Sequence, residues 1–200
     1  MKRPDLSEYL IHFIKGDTLE QSYDVLKQII SSKMLKAGNG HIKGGFKCIC
    51  FTEAPPKALV ESQWLGNVVR YQPLGLLVQK DWLFEKGGRQ VIYGPATDYD
   101  ELPENFRWRH VRYEPKSNPP IDFTWEREWR INTPELFIDP KFFKIVVPTE
   151  DWANRVKQEF ERDSFYNAWH YSTVLGGVAW AYEEDFEWQP EILSHYTRRP

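Results

Sequence analysis

Short apolar runs, separated by glycine, proline and polar residues, recur along this chain and restrict its possible folds more than any other feature. Runs of β-branched and aromatic residues predict strands at 7–14, 46–52, 75–78, 90–93, 123–131 and 142–147. Apolar side chains recur at helical spacing in two stretches, from about 18 to 34 and from Thr149 to about Arg162. This order predicts an α+β domain with a mainly antiparallel sheet and flanking helices. Two hundred residues are the size of one ordinary domain, so residues 1–200 are interpreted as a single unit.

Two local signals refine this prediction. Asp17 to Glu20 fits a capping box, in which the Asp17 side chain accepts an unpaired amide at the helix start and Glu20 reaches back. Residues 94–122 are polar and contain prolines at five positions, which predicts a long excursion with a short helix around Glu104 to Arg109.

Composition and charge exclude several classes of protein. The chain is 41% hydrophobic and 28% charged, which is typical of a globular domain and not of a disordered or coiled-coil chain. A net charge of -3 argues against coating of nucleic acid by bulk electrostatics, but it is compatible with a local basic strip. Because the sequence has no basic and apolar leader and no run of about 18 apolar residues, we expect a cytoplasmic protein without membrane contact.

The cysteines and histidines favour neither a disulfide nor a metal. Cys48 and Cys50 are two residues apart in a predicted strand, where the rise separates their side chains by about 6–7 Å, too far for an S–S bond. The five histidines are scattered, and no spacing among them and the cysteines matches a zinc site. We therefore predict no metal site.

The segment Trp125–Ile131 carries the most informative charge pattern. If it is a strand, Glu126, Glu128 and Arg130 share one face and the tryptophans share the other. Repulsion between the two carboxylates favours a perturbed pKa for one of them, while Arg130 holds the other ionised. The same pattern is also compatible with a solvated strand face that carries an ion pair.

Two further features each have a functional and a structural interpretation. His12 lies in an apolar strand, either as a core histidine bonded to backbone or as a donor to a ligand hydroxyl. Arginines and aromatic residues interleave between 106 and 113, as in grooves that bind single-stranded nucleic acid. The structural alternative is a solvated loop whose arginines pair with Asp100, Glu101 and Glu104.

In chain order, these features resemble the ADP-ribosyltransferase fold. The resemblance comprises an early strand ending in His12 and Phe13, a capped helix, a Gly-Asn-Gly loop, the strand Cys48 to Glu53 and a late strand bearing Glu128. The sequence more closely resembles a bacterial group of uncharacterised and abortive-infection (AbiGi-like) proteins, which is more distantly similar to DarT-type ADP-ribosyltransferases. The segments that carry the likeness are Leu10–Phe13, Cys50–Pro55, Tyr71–Tyr93 and Glu128–Ile131.

The resemblance implies that NAD is the substrate and assigns residues to it. His12 would hold the ribose and amide of NAD, and Glu128 would bond the ribose 2′-hydroxyl and stabilise positive charge as the C1′–nicotinamide bond breaks. Glu126 resembles the first acid of an E-x-E pair, which helps to orient the acceptor in some family members. The other implied cofactor-binding residues are Phe51, Thr52, Arg70, Tyr71 and Arg130. The family's tyrosine or serine on the middle strand has no tyrosine counterpart here, and Tyr71 or Tyr93 would supply the ring.

The expected function is therefore an NAD-dependent ADP-ribosyltransferase acting on a macromolecular acceptor, either protein or nucleic acid. The resemblance places it in phage defence or a toxin–antitoxin system. An NAD glycohydrolase would differ only in using water as the acceptor. The alternative from another class is a catalytically inactive binding module on the same scaffold, an antitoxin or regulator that contacts its partner through 106–113.

Overall fold

The fold combines one large sheet with helices and short 3-10 turns. It is seen in a computed structural model, which describes residues 6–38, 42–56, 71–174 and 184–196. The strands are β1 Tyr9–Lys15, β2 Met34–Lys36, β3 Cys48–Thr52, β4 Tyr71–Gln79, β5 Arg89–Gln90, β6 Ile92–Gly94, β7 His110–Arg112, β8 Glu128–Asn132, β9 Glu135–Phe137, β10 Phe143–Val147 and β11 Gln189–Ile192. The helices are α1 Leu19–Ser32, α2 Lys80–Glu85, α3 Asp98–Glu101 and α4 Glu150–Val174, and the 3-10 helices are Glu104–Arg109, Thr124–Glu126 and Leu193–Tyr196.

The main sheet is mostly antiparallel. Among the described residues seven strands form it, in the order β11-β10-β4-β1-β3-β8-β5, and only β10 and β11 run parallel. Two small sheets accompany it, β2 with β9 and β6 with β7. The predicted α+β class and mainly antiparallel sheet are therefore confirmed.

Alternation along the central strands divides the core between the two faces of the sheet. Leu10 and Ile14 on β1 pack on the face that α1 covers with Leu26 and Ile30. Ile11 and the other residues of the opposite face belong to a smaller apolar cluster that includes Phe13, Ala54, Leu77, Val146 and Leu193. Because both faces are covered, strands such as β1 read as nearly continuous apolar runs.

The start of α1 differs by one residue from the sequence prediction. Thr18, not Asp17, is the N-cap, and the capping box closes with Gln21, not Glu20. The Thr18 hydroxyl accepts the Gln21 amide at 3.2 Å, while the Gln21 side chain accepts the Thr18 amide at 3.2 Å. Both residue pairs fit the sequence pattern, and the backbone conformation at the entry to the helix selects between them.

The expected strand from 123 to 131 is wrong in its first half. Residues Thr124–Glu126 form a 3-10 helix, Arg127 adopts the left-handed conformation with φ of 45°, and β8 begins only at Glu128. The short helix expected around Glu104 to Arg109 is confirmed as a 3-10 helix. Period-two alternation therefore applies from Glu128 onwards and does not by itself place Glu126.

The last helix is longer than predicted. Trp152, Val156 and Phe160 pack against the core as expected, but α4 continues to Val174. No glycine or proline interrupts residues 150–174, so the helix persists beyond the stretch that has a packed apolar face. No helix in the described ranges combines the length and apolar composition needed to cross a membrane.

Candidate active site

A cavity of about 1120 Å³ opens between β1 and β3. All residues from Ile11 to Lys15 and from Cys48 to Thr52 line it, although successive strand residues point to opposite faces of a sheet. The ladder between these strands has the single register pair Ile11 and Thr52, whereas β1 pairs with β4 along most of its length. The cavity is thus a gap in the middle of the sheet, and its other walls come from α1, β2, β7 and β8.

His12 lies where the β1–β3 ladder stops. Its Nδ1 is 2.8 Å from the carbonyl oxygen of Cys50, and its ring makes an edge contact with Phe51 at 5.7 Å between centroids. Because a carbonyl can only accept, Nδ1 carries the hydrogen. Burial lowers the pKa of His12, so the imidazole is neutral near pH 7 and its Nε2 has a lone pair. This backbone bond is the one that the structural interpretation of His12 predicts, and it leaves Nε2 free to accept, but not to donate, a hydrogen bond to a ligand.

Glu128 is held by a two-point ion pair. The Arg130 Nε donates to Oε1 at 2.8 Å and Nη2 donates to Oε2 at 3.2 Å. Arg130 Nη1 also donates to the carbonyls of Trp108 and His110, at 2.9 and 3.1 Å. Four of the five guanidinium N–H groups are thus engaged within the chain. Arg130 lines the cavity, but its geometry suits positioning of Glu128 rather than contact with a pyrophosphate.

Glu126 lines the same cavity and has an altered acidity. Burial, and then the negative charge of Glu128, raise the pKa of Glu126 to about 7. This is the perturbation expected when two carboxylates approach each other and an arginine is bound to one of them. A carboxyl group with this pKa can accept and return a proton near neutral pH.

The turn that presents Glu126 is fixed by the end of β3. The Thr52 hydroxyl donates to the Glu126 carbonyl at 2.5 Å and accepts the Ala54 amide at 3.1 Å. The Glu53 amide donates to the carbonyl of Arg127 at 3.3 Å. Thr52, which the resemblance assigns to NAD, therefore uses its hydroxyl to hold the turn. Its role in this geometry is positioning.

Tyr93, which the resemblance offers beside Tyr71 as the source of the ring, instead connects both ends of this turn. Its hydroxyl donates to the Phe123 carbonyl at 3.1 Å and accepts the Glu128 amide at 3.1 Å. Tyr93 thus positions the first residue of β8 without lining the cavity. The sequence gives no sign of this contact, because 35 residues separate Tyr93 from Glu128.

Tyr71 is the cavity tyrosine. Its ring packs on Phe13 with 6.1 Å between centroids, and the Lys15 Nζ lies 5.4 Å from its ring centre. Burial, followed by the charges of Glu126 and Glu128, raises the pKa of Tyr71, so the phenol keeps its proton. Phe51 also lines the cavity, but its ring is almost wholly buried in the core. Arg70, which the resemblance assigns to the cofactor, lies outside the described residues.

Cationic side chains also line the cavity, and apart from Arg112 of the stretch 106–113 the sequence does not indicate them. They are Lys15, Lys36, Lys43 and Arg112. Lys36 and Lys43 have distant carboxylate neighbours, at 3.8 Å from Glu135 and 3.7 Å from Asp100, and Arg112 pairs with Glu114. Lys15 makes no ion pair within the described ranges. These positive charges suit an anionic ligand.

The cluster at 106–113 does not form one common surface. Trp108 is 8% exposed and donates through Nε1 to the Asn105 carbonyl. Arg107 donates to the backbone carbonyls of Asp100 and Leu102, so the expected pairing with acidic side chains is replaced by backbone contacts. The segment is tied to the site through the bonds from Arg130 to Trp108 and His110 described above.

The surroundings of the site give no sign of a metal. In the described part of the chain, no group of three or more His, Cys, Asp or Glu side chains is placed to hold a metal ion. Comparison with models of protein families, with curated proteins and with solved structures gives no match. The geometry of the cavity is therefore the feature of this chain that bears on its function.

Proposed function

We propose that the protein is an NAD-dependent ADP-ribosyltransferase that acts on a macromolecular acceptor. The observation that carries the proposal is the convergence of His12, Tyr71, Glu126 and Glu128 on one cavity. These residues come from widely separated parts of the chain, and they include the histidine and glutamate that the family resemblance assigns to NAD. The volume of about 1120 Å³ slightly exceeds the range of roughly 300–1,000 Å³ for small-molecule sites, which suits an extended dinucleotide.

Glu128 would provide the fixed anion of the reaction. Arg130 takes one lone pair of each carboxylate oxygen, so each oxygen keeps another for the ribose hydroxyl. The C1′–nicotinamide bond breaks with its electron pair on the nicotinamide nitrogen, and positive charge develops at C1′. A carboxylate that is held in place before this charge appears stabilises it without reorganisation.

His12 and Glu126 have separate tasks in this proposal. The bare Nε2 of His12 accepts a ribose hydroxyl, because Nδ1–H is already bound to Cys50. Glu126, with a pKa of about 7, removes the proton from the acceptor nucleophile as that atom bonds to C1′. The cationic side chains that line the cavity, among them Lys15, face the pyrophosphate.

A second candidate is the catalytically inactive binding module. The observation that favours it is the two-point contact of Arg130 with Glu128, because the net charge of the pair is zero. For either candidate we propose a cytoplasmic protein that acts in phage defence or in a toxin–antitoxin system. The two candidates differ in whether NAD is consumed.

The test is incubation of the full chain with NAD that is labelled in its nicotinamide. We expect nicotinamide release, with a rate that falls at least about 100-fold in Glu128→Gln. Glu161→Gln, an exposed change on α4, is the matched control and should retain the wild-type rate. Mass spectrometry distinguishes ADP-ribose attached to a macromolecule from the free ADP-ribose that a glycohydrolase would form. Wild-type protein that releases no nicotinamide and shows no NAD-dependent thermal shift would contradict the proposal, and a thermal shift without release would favour the binding module.

A further inference from the structure

Two arginine–phenylalanine stacks lie side by side at the β5 edge of the main sheet. The Arg89 Cζ lies 4.0 Å from the centre of the Phe84 ring, and the Arg109 Cζ lies 5.7 Å from the centre of the Phe106 ring. The stacks are joined because Arg109 Nε donates to the carbonyl of Gln90, the neighbour of Arg89, at 2.9 Å. We call these four side chains the arginine–phenylalanine patch.

Both guanidinium groups are held by backbone carbonyls and not by acids. Arg89 Nη1 donates to the carbonyls of Phe84 and Gly88, at 2.8 and 2.7 Å. In the described part of the chain, neither Arg89 nor Arg109 forms an ion pair with a carboxylate. Burial, and then the charge of Arg89, lower the pKa of Arg109, which agrees with two cations placed close together. Two uncompensated positive charges at neighbouring positions create a local preference for an anion.

Both aromatic members of the patch are exposed to solvent. Phe84 is 50% exposed and Phe106 is 41% exposed, although large apolar side chains are normally buried. Each ring therefore presents area to solvent directly beside a fixed cation. This combination is found where bases stack on rings while neighbouring arginines contact the phosphates of a single strand.

We propose that the arginine–phenylalanine patch binds a single-stranded nucleic acid. Phosphodiester oxygens would contact Arg89 and Arg109, and bases would stack on Phe84 and Phe106. An acidic peptide would satisfy the charges but would leave the two exposed rings without a matching planar group, so it fits the patch less well. A net charge of -3 argues against binding of a polyanion by bulk electrostatics, so such binding requires a local cationic site like this patch. This inference does not depend on the proposed enzymatic activity.

The patch was only partly visible in the sequence. Phe106 and Arg109 belong to the interleaved stretch 106–113, but Phe84 and Arg89 come from the end of α2 and from β5. In the same stretch, Arg107 and Trp108 donate to backbone carbonyls, and Arg112 pairs with Glu114 at the cavity. The tertiary structure therefore replaces half of the expected cluster with residues about 20 positions earlier in the chain.

The experiment measures, by fluorescence anisotropy, the binding of labelled oligo-dT and oligo-U strands of about twelve nucleotides to the full chain. It is carried out without NAD and over a series of salt concentrations. Neutralisation of two phosphates predicts a slope of log K against log salt of about −1.4, since each contributes about −0.7 for a single strand. Arg89→Gln with Arg109→Gln should weaken binding at least tenfold and flatten this slope. Lys157→Gln with Arg162→Gln removes the same charge from the exposed face of α4 and should leave the affinity unchanged.

Stacking is tested separately by Phe84→Leu and Phe106→Leu, which keep an apolar side chain at each position. Loss of one stacked base, about 1–3 kcal/mol, corresponds to a decrease in affinity of roughly fivefold or more. Tighter binding of oligo-dT or of oligo-U would identify the strand as DNA or RNA. If the double glutamine variant does not fold, as judged by circular dichroism, Arg109→Gln alone serves the same purpose, because Arg89 then keeps its carbonyl contacts.

Three results would overturn the proposal. The first is the absence of saturable binding at about 50 mM salt, where phosphate contacts are strong. The second is a failure of the substitutions to act as expected. This would be seen as undiminished affinity in the glutamine variants, or as leucine variants without effect in a protein that binds duplex DNA as tightly as a single strand. The third is arginine-dependent binding of polyglutamate without binding of either oligonucleotide, which would make the partner an acidic protein.

Discussion

The guanidinium of Arg130 contacts both carboxylate oxygens of Glu128, at 2.8 and 3.2 Å. Both side chains belong to β8 and lie on the same side of the sheet, two residues apart. Both are also largely removed from solvent, with side chains 9% and 12% exposed. Since Arg130 also binds the carbonyls of Trp108 and His110, one side chain fixes the carboxylate and joins it to the start of β7 and the residues just before it.

Removal of the Arg130 charge should destabilise the fold strongly. In Arg130→Gln the Glu128 carboxylate remains buried without its partner, and two carbonyls lose a charged donor. We expect the free energy of unfolding to fall by about 3–5 kcal/mol, as for other broken buried ion pairs. Urea denaturation measures the change.

The matched control for this prediction is an exposed pair. Arg162→Gln breaks the contact between Arg162 and Asp163, which are both more than half exposed. It should therefore change the free energy of unfolding by less than about 0.5 kcal/mol. The double variant Glu128→Gln with Arg130→Gln should be less unstable than the sum of the single changes. An Arg130→Gln protein as stable as the Arg162→Gln control would show that the pair does not contribute.

The raised pKa of Glu126 predicts a loss of stability between acidic and neutral pH. The ordinary pKa of a glutamate is 4.5 and that of Glu126 in the folded protein is about 7, so between these values the unfolded chain releases the proton while the folded protein retains it. The stabilising effect is complete below pH 4.5 and is lost as the pH rises through 7. The full shift corresponds to a change on the order of 3 kcal/mol.

Glu126→Gln tests this prediction, because glutamine remains neutral at every pH. The variant should be more stable than the wild type at pH 8 and similar to it at pH 4. If Glu126 is the proton acceptor of the proposed reaction, the rate of nicotinamide release in the wild type should increase with an apparent pKa near 7. Parallel stability curves for the two proteins between pH 4 and pH 8 would contradict the assigned pKa.

The hydroxyl of Tyr93 should contribute more than its ring to stability and to the geometry of the site. Tyr93→Phe keeps the ring but leaves the Glu128 amide and the Phe123 carbonyl without their shared partner. We expect unfolding to become easier by about 1–3 kcal/mol and nicotinamide release to slow. Tyr113→Phe is the control, since the Tyr113 hydroxyl makes no hydrogen bond to any described residue. Equal effects of the two substitutions would indicate that Tyr93 acts only through packing.

Glu53 is a buried carboxylate with a structural role, and it should be sensitive to replacement. It is 1% exposed and accepts from Lys80 at 2.6 Å, Trp129 at 2.8 Å and Gln90 at 3.3 Å. Burial alone would raise the pKa of Glu53, but the bonds from Lys80 and Trp129 outweigh it and lower the pKa. Its contribution to stability is therefore complete above the unfolded pKa and is lost as the pH falls through the lower folded value.

Glu53→Gln should reduce the free energy of unfolding by about 3–5 kcal/mol, because Lys80 then lacks its carboxylate partner. Glu135→Gln is a suitable control, since Glu135 is half exposed and lies 3.8 Å from Lys36. Thermal unfolding at pH 7 and at pH 3 measures both effects, and the two pH values should differ less in the variant than in the wild type. A Glu53→Gln protein with the stability of the control would contradict this role.

The elements of the fold were largely predictable because their signals are local. Alternation and apolar runs indicated β1, β3, β4 and β10, and helical spacing indicated α1. The signal was insufficient where the backbone changes conformation within a few residues. Arg127 is the example, because its left-handed conformation separates a 3-10 turn from β8 inside one continuous apolar and charged stretch.

The sequence by itself determined the class of the fold, the choice of the Glu126–Arg130 segment and the pairing of Arg130 with one of its two carboxylates, because neighbours two apart on a strand share a face. The structure identified that carboxylate as Glu128. Only the tertiary structure decided that His12 and Tyr71 open into the same cavity as this segment, that Thr52 and Tyr93 hold it, and that Arg109 stands beside Arg89. The physical reason is that these contacts join residues that are far apart in the sequence. Strand order and the gap between β1 and β3 follow from packing of the whole sheet, and no local pattern of residues encodes them.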